Sequence, residues 1–386
     1  MAKETNPSGT FDLTLQGSYR PGIRVQFYGM FEGCFSVAAI CTQIGRVLTE
    51  RLNGVALHSY NGGLFFDTSL AGHAAVDRAA PVGFFYGFPH EIPEEFYEHP
   101  FRIGGFVCET DRIASSWVEA CNTLNLVIVP SEFCRRAFLD SGVTVPVIVV
   151  PHGLEPEYRP MAKARRSKPL VFYNIFSAGS LLERKNAEEL IRCFLEAFGP
   201  SGEDCVLRLR TDLSLGLVDI RQRYDFGRAI LLDFPDRRDT ASFARIYSEV
   251  HCTVHPSRGE GFGLVPFQSI ACETPVIAPA VTGMADYLND ENAMCLRTSG
   301  RTAGVLGGNQ AGTYFTIDEA HLVELLHHAH TNWEEEYRKV RTAGPELRAR
   351  YAWDVVLSEL IEVIEEVLDS KNLDDMRRSL DDRFGP

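Results

Sequence analysis

No run of eighteen apolar residues occurs anywhere in the chain, which argues against a helix that crosses a membrane. No two cysteines are spaced Cys-x-x-Cys, so spacing offers neither a zinc ligand set nor a dithiol redox pair. An excess of positive charge is also missing. Lys and Arg number 38 against 52 Asp and Glu, a formal net charge of −14. That balance argues against a surface that holds a polyanion throughout, though it leaves room for a local basic groove. The opening residues, Met-Ala-Lys-Glu-Thr-Asn-Pro, have no apolar core and do not read as a secretory signal. No internal repeat or low-complexity tract is present, and only the first ten and last fifteen residues have the polarity of disordered ends. No Asp-x-Asp stands at a strand end, and the Asp pairs at 374–375 and 381–382 lie in the polar tail, so no metal is expected.

What is present suits two globular domains: 386 residues, 45% hydrophobic and 11% aromatic. Apolar strand-like runs alternate with helical ones, the pattern of a mostly parallel α/β sheet. Strands are expected at 23–28, 55–59, 82–88, 103–108, 126–129 and 145–150, with helices at 36–52, 115–122 and 132–140, the last capped by Ser131. Pro151 to Pro160 is rich in turn residues and leads into a basic stretch of Lys163, Arg165, Arg166 and Lys168, which reads as a solvated linker. A second series follows, with strands at 170–175, 206–210, 230–232, 250–254 and 275–278 and a helix at 187–198. The expected division is therefore 1–160, 161–350 and a C-terminal helix with polar tail at 351–386, its helix running from Trp353 to Leu368. Most of the ten cysteines sit in apolar runs, where a free thiol behaves as a small hydrophobe, and a cytoplasmic location fits. His321, His327, His328 and His330 lack the spacing and acid partner of a metal site.

One segment stands out: His255-Pro-Ser-Arg-Gly-Glu-Gly-Phe-Gly-Leu-Val-Pro-Phe-Gln268. An apolar run, 250–254, enters a tight turn carrying Glu260, Gly261 and Gly263, and a helical run begins at Leu264. Glycines let a backbone approach a ligand, and a helix N-terminus offers unpaired N–H groups to an anion. An acid would oppose that anion, so Glu260 is expected to face something neutral with hydroxyls. A diphosphate and a polyol together describe a nucleotide sugar.

This segment resembles the Glu-x7-Glu signature of retaining glycosyltransferases of the GT-B fold, especially glycosyltransferase family 4. The resemblance implies two doubly wound, Rossmann-like domains facing a cleft, with a C-terminal helix crossing back. It also implies that Glu260 meets hydroxyls of the donor sugar and that Gly261, Phe262, Gly263 and Leu264 lie along the donor. The second Glu of the pattern is Gln268 here, at the position associated with the nucleotide ribose. Neutral hydrogen bonds are worth ~0.5–1.5 kcal/mol and charged ones ~1.5–3, so the amide is expected to weaken ribose binding by about tenfold. Arg184 and Lys185 precede the helix at 187 and match basic residues that hold the donor diphosphate in the family; without an anion they would repel each other beside a helix N-terminus. Ser180 replaces a further basic residue of that pattern.

Residues 104–122, 129–138 and 150–153 are similar to a family 4 subgroup, with Ala114 in place of its usual Pro. Glu109, at a strand's end, is the acceptor-side acid that could orient or deprotonate a hydroxyl, with Asp111 and His90 as lesser candidates. Gly29 and Gly33 form a loop that could approach the donor. The resemblance implies a UDP- or GDP-sugar donor, no required cofactor and no protein nucleophile. The acceptor stays open among carbohydrate, metabolite and modified DNA base, the last with Arg135, Arg136 and the 163–168 cluster as a phosphate track. A phosphorylase or hydrolase of the same fold, a non-catalytic sugar-nucleotide binder, and a homodimer remain open as well.

Overall fold

The structure is a computed structural model that describes residues 22–32, 36–63, 65, 67–161, 168–176, 183–211, 215–233, 240–306 and 309–385. Gly33, the basic residues 163, 165 and 166, and Ser180 lie outside the described residues.

The first lobe is built from β1 (Val25–Gly29), α1 (Ser36–Arg51), β2 (Val55–Ser59), β3 (Val82–Tyr86), β4 (Phe101–Gly105), α2 (Ser115–Cys121), β5 (Leu126–Val129), α3 (Glu132–Asp140) and β6 (Val147–Val149). All its strand pairs are parallel, in the order β2-β1-β3-β4-β5-β6. Strands covered on both faces read as continuous apolar runs, which is why Val-Gly-Phe-Phe-Tyr in β3 is buried at every position. Ser131 caps α3 by accepting the Cys134 N–H, as its place before the helix predicts.

The second lobe contains β7 (Leu170–Ile175), α4 (Ala187–Phe198), β8 (Cys205–Arg210), α5 (Leu215–Arg223), β9 (Ile230–Asp233), α6 (Thr240–Glu249), β10 (Cys252–Val254), α7 (Leu264–Ala271), β11 (Val276–Ala278) and β12 (Met294–Cys295). Its sheet runs β12-β11-β10-β7-β8-β9, again all parallel. The strand order reverses between β7 and β10. Ligands of open parallel sheets bind beyond the carboxyl ends of the strands at such a reversal. The loops after β7 and β10 are those that carry Arg184, Lys185 and Glu260.

A hairpin, β13 (Thr298–Leu306) with β14 (Asn309–Ile317), fills the connection from β12 to α8 (Glu319–Thr331). Its alternation went unread in the sequence, because Gly, Thr and Ser occupy many of its positions and its apolar positions are few. Connections this long inside a compact domain are uncommon and tend to be functional. The hairpin leaves its own lobe and lands on the other. Both oxygens of Asp111 receive it: Oδ1 accepts the Thr313 N–H at 2.7 Å, while Oδ2 accepts the Thr313 hydroxyl at 2.8 Å and pairs with Arg301. A side chain at Gly312 would strike Asp111 and the Arg112 backbone, so the close approach needs glycine, and its φ of 58° does too. Asp111→Ala is expected to lower protection of the Thr313 amide by about tenfold in hydrogen exchange, since a charge-assisted bond of ~1.5–3 kcal/mol is lost from a partly exposed site.

The return to the first lobe differs from a single helix over 353–368. After α9 (Trp333–Arg350) the chain breaks at Leu357 into α10 (Trp353–Val356) and α11 (Ser358–Asp369). Leu357, Leu360, Val363 and Ile364 of this return are buried with Val25, Phe84 and Ile103, so the C-terminal helix does cross back. The tail expected to lack order is α12 (Leu373–Phe384), whose Met376 and Leu380 bury into that same core. Apolar residues four apart on a short polar segment gave too weak a pattern to read. The two passages between lobes lie side by side, where the Leu154 N–H bonds the Tyr351 carbonyl at 2.7 Å.

Candidate functional site

The site forms where β7 and β10 end. Asn186 takes the left-handed backbone conformation (φ 52°) as the N-cap of α4, a conformation that asparagine tolerates. Its side chain donates to the Pro256 carbonyl at 2.7 Å and accepts from Arg258 Nε at 2.6 Å. Arg258 in turn holds Glu183 at 3.2 Å and Glu189 at 2.9 Å. These contacts tie the loop after β7 to the loop after β10 and aim Arg184 and Lys185 at Glu260.

Glu260 is the centre. Its Oε1 pairs with Lys185 Nζ, lies 3.2 Å from Arg184 Nη1 and 3.0 Å from His255 Nε2. Arg184 also donates to the Gly259 carbonyl at 2.6 Å and reaches Glu109 of the first lobe at 3.5 Å. Arg184, Lys185, Glu260 and Glu109, all singled out in the sequence, thus lie in one cluster. Within the protein itself, the Glu260 carboxylate lies between Arg184 and Lys185, the two cations expected to hold an anion.

Electrostatics follow from that geometry. Burial by itself would raise the Glu260 carboxyl, but Lys185, Arg184 and the His255 bond overcome it and hold it well below the usual carboxylate range. Burial lowers Lys185, and Arg184 beside it pushes the same way against the pull of Glu260. Burial lowers His255 as well, which keeps the imidazole neutral near pH 7, with its Nε2 hydrogen directed at Glu260.

The glycines serve purposes that spacing alone did not show. A side chain at Gly259 would strike the Glu109 carbonyl, and one at Gly261 would strike Val107 and the Cys108 carbonyl. Both therefore admit the backbone of the other lobe, and Ser131 Oγ donates to the Gly261 carbonyl at 2.6 Å. Gly263 (φ 91°) caps α7 and starts its N-terminus. Phe262 is buried, its ring 5.1 Å from His152 and packed on Phe267 and Tyr287. His152 is neutral, driven by burial to about 3, and accepts or donates to the Tyr86 hydroxyl at 2.7 Å. Leu264 is half-buried between the cores of the two lobes. Gln268 Oε1 accepts the Tyr247 hydroxyl at 3.0 Å. Gly29 is buried against Phe31 and Cys41 and makes room for them. His90 is exposed on a short turn, where it stacks on Phe88 at 5.7 Å.

Two contributors escaped the sequence reading. Thr282 has a positive φ of 56°, and its Oγ1 accepts the Glu260 N–H at 3.2 Å, while Gly283 N–H bonds the Glu260 carbonyl at 2.9 Å. The Thr-Gly pair after a buried strand was the available signal. Tyr314 of the hairpin is the other, packed against Gly259. Among the described residues no group of three His, Cys, Asp or Glu side chains is placed to hold a metal ion, and no helix is long and apolar enough to cross a membrane.

A family model described as "Family 4 Glycosyltransferase in conflict systems" matches residues 233–360, which contain the Glu260 loop, α7, Thr282 and the hairpin. The chain resembles family 4 glycosyltransferases. A D-inositol 3-phosphate glycosyltransferase of Actinosynnema mirum is 31% identical over 141 residues, 36% of this chain and 32% of that protein. Matches of this kind span about a third of the curated relatives' length. Two solved structures cover nearly the whole molecule. The Anabaena HepE protein in complex with UDP and glucose has a TM-score of 0.67 at 12% identity, covering 89% of this chain and 99% of its own. Sucrose-phosphate synthase from Thermosynechococcus elongatus has a TM-score of 0.65 at 14% identity, covering 89% and 98%. This family 4-like chain has the GT-B fold: two parallel-sheet lobes with the C-terminal helices returned to the first.

Proposed function

We propose that the protein is a retaining glycosyltransferase that moves a hexose from a nucleotide-diphosphate sugar to an acceptor hydroxyl without a metal ion. The observation that carries this reading is the buried Arg184–Glu260–Lys185 cluster at the strand-order reversal, beside the N-terminus of α7. The cluster holds two cations on one carboxylate. An incoming diphosphate competes for those cations and accepts from the N–H groups at the start of α7. Glu260 is then released to accept from sugar hydroxyls. UDP is bound in the HepE complex of the same fold, which supports a nucleotide-sugar donor here.

In the proposed reaction the bond from the sugar's anomeric carbon to the diphosphate oxygen breaks. A bond to the acceptor oxygen forms on the same face. The acceptor's proton passes to the departing phosphate oxygen, and Glu109 orients that hydroxyl. Negative charge grows on the leaving group, where Arg184 and Lys185 stabilise it. Orientation supplies the rest.

A panel of UDP-, GDP-, ADP- and TDP-sugars, read by thermal midpoint, tests the donor. A true donor at one hundred times its dissociation constant adds about 2.7 kcal/mol of stability. The shift is expected with one donor in wild type, to disappear in Lys185→Ala, and to appear at about tenfold lower ligand in Gln268→Glu. NMR of the product should show the donor's anomeric configuration preserved, and EDTA should leave the rate unchanged. A shift with no donor at all sinks the reading. Binding without transfer to any acceptor would leave a sugar-nucleotide binder.

A further inference from the structure

Between α3 and the β13–β14 hairpin lies a cavity of about 420 Å³, within the ~300–1,000 Å³ range of small-molecule sites. Phe133 and Arg136 line it from the first lobe, Thr282 and Asp286 from the second, and Arg301 and Phe315 from the hairpin. Thr282 belongs to both this cavity and the Glu260 cluster, because its Oγ1 holds the Glu260 N–H. A ligand seated here therefore adjoins the loop proposed to hold the donor sugar.

The walls define the ligand's chemistry. The Arg301 guanidinium stacks on the Phe315 ring at 4.5 Å, giving a flat surface with donors along its edge. Phe133 adds a second apolar contact. Asp286 accepts the Glu132 N–H on Oδ2 at 2.8 Å and lines the cavity. Charge is compensated throughout. Arg136 lies 3.2 Å from Glu132, Arg135 lies 3.7 Å from the same carboxylate, and Arg301 is paired with Asp111. A nucleic-acid strand would call for cations left free to replace counterions along its phosphates. A ring with apolar faces and equatorial hydroxyls matches flat aromatic walls bordered by two carboxylates, Glu132 and Asp286, and two guanidinium groups, Arg136 and Arg301.

We propose that this cavity is the acceptor site and that it takes an uncharged sugar or polyol ring. The inference rests on the transferase reading and adds the acceptor's class. It assigns the hairpin a purpose: Arg301 and Phe315 select the acceptor, and the Asp111 contact keeps them over the first lobe.

The test is saturation-transfer NMR on the full chain, with UDP in excess so that the nucleotide site is filled. The probes are the methyl α- and β-glucopyranosides, methyl α-mannopyranoside and myo-inositol. At least one probe is expected to bind wild type, to bind at least tenfold more weakly to Phe315→Leu and to Asp286→Asn, and to recover with Phe315→Tyr. UDP affinity and the thermal midpoint should stay at wild-type values in the three variants, which separates loss of the pocket from loss of fold. Three results would overturn the proposal: no probe bound while UDP binds, probe binding undiminished in both weakened variants, or a single-stranded oligonucleotide carrying hydroxymethylcytosine bound in a Phe315-dependent way. Absence of UDP binding would count against the transferase reading alone, and Phe315-dependent probe binding would still support a sugar site.

Discussion

Arg184→Ala is expected to cut turnover with a nucleotide-sugar donor by roughly 10²–10³-fold, the usual effect of removing a group that stabilises developing negative charge. It is also expected to destabilise the fold. The guanidinium stands between Glu109 of the first lobe and Glu260 of the second, and it donates to the Gly259 carbonyl. Removing one partner of a buried charge pair costs about 3–5 kcal/mol, because the remaining charge is left unpaired. Arg184→Lys should recover part of the stability but little of the turnover, since a lysine cannot reach two carboxylates and a carbonyl at once. Thermal unfolding and steady-state rates, measured on both variants, decide the matter. A large loss of stability with unchanged turnover would make Arg184 an interlobe brace and no part of the reaction.

Glu260→Gln should behave differently with and without nucleotide. In the free protein the change leaves Lys185 and Arg184 buried without their carboxylate, so the midpoint falls. A diphosphate then supplies the missing negative charge. The stabilisation by UDP should be larger in the variant than in wild type, while transfer is lost by at least about 10²-fold because sugar hydroxyls lose their acceptor. The pH dependence carries a sign that can be checked. Glu260 has a folded value well below its ordinary one, so it contributes stability above about pH 4.3 that disappears as pH falls through the depressed folded value. Glu260→Gln should flatten that acid limb. An equal UDP shift in both proteins would show that the nucleotide does not meet these cations.

Much of the scaffold was legible. Buried parallel strands such as β3, β5 and β7 read directly from apolar runs of four to six residues, and α4 from its periodic apolar face. Three members of the charged cluster were also singled out, because Glu260 lies in a strand-turn-helix segment and Arg184 with Lys185 stands before a helix. The hairpin was not, since its register depends on pairing 298–306 with 309–317 and its stability depends on Asp111 in the other lobe. The ordering of the tail was hidden for the same reason: Met376 and Leu380 gain their partners only from a core assembled some three hundred residues earlier.

By itself the sequence indicated most of the elements, the two-lobed parallel architecture, and Glu260, Arg184, Lys185 and Glu109 as candidate residues that the fold gathers into one cluster. Those properties follow from local periodicity, turn chemistry and motif spacing, which need no distant partner. The tertiary structure alone decided which side chains surround Glu260, that Gly259 and Gly261 admit the other lobe's backbone, and that a hairpin closes a cavity beside Thr282. Each of these depends on groups far apart in the chain meeting across the cleft, and the balance of charge and close contact there exists only once both lobes are in place.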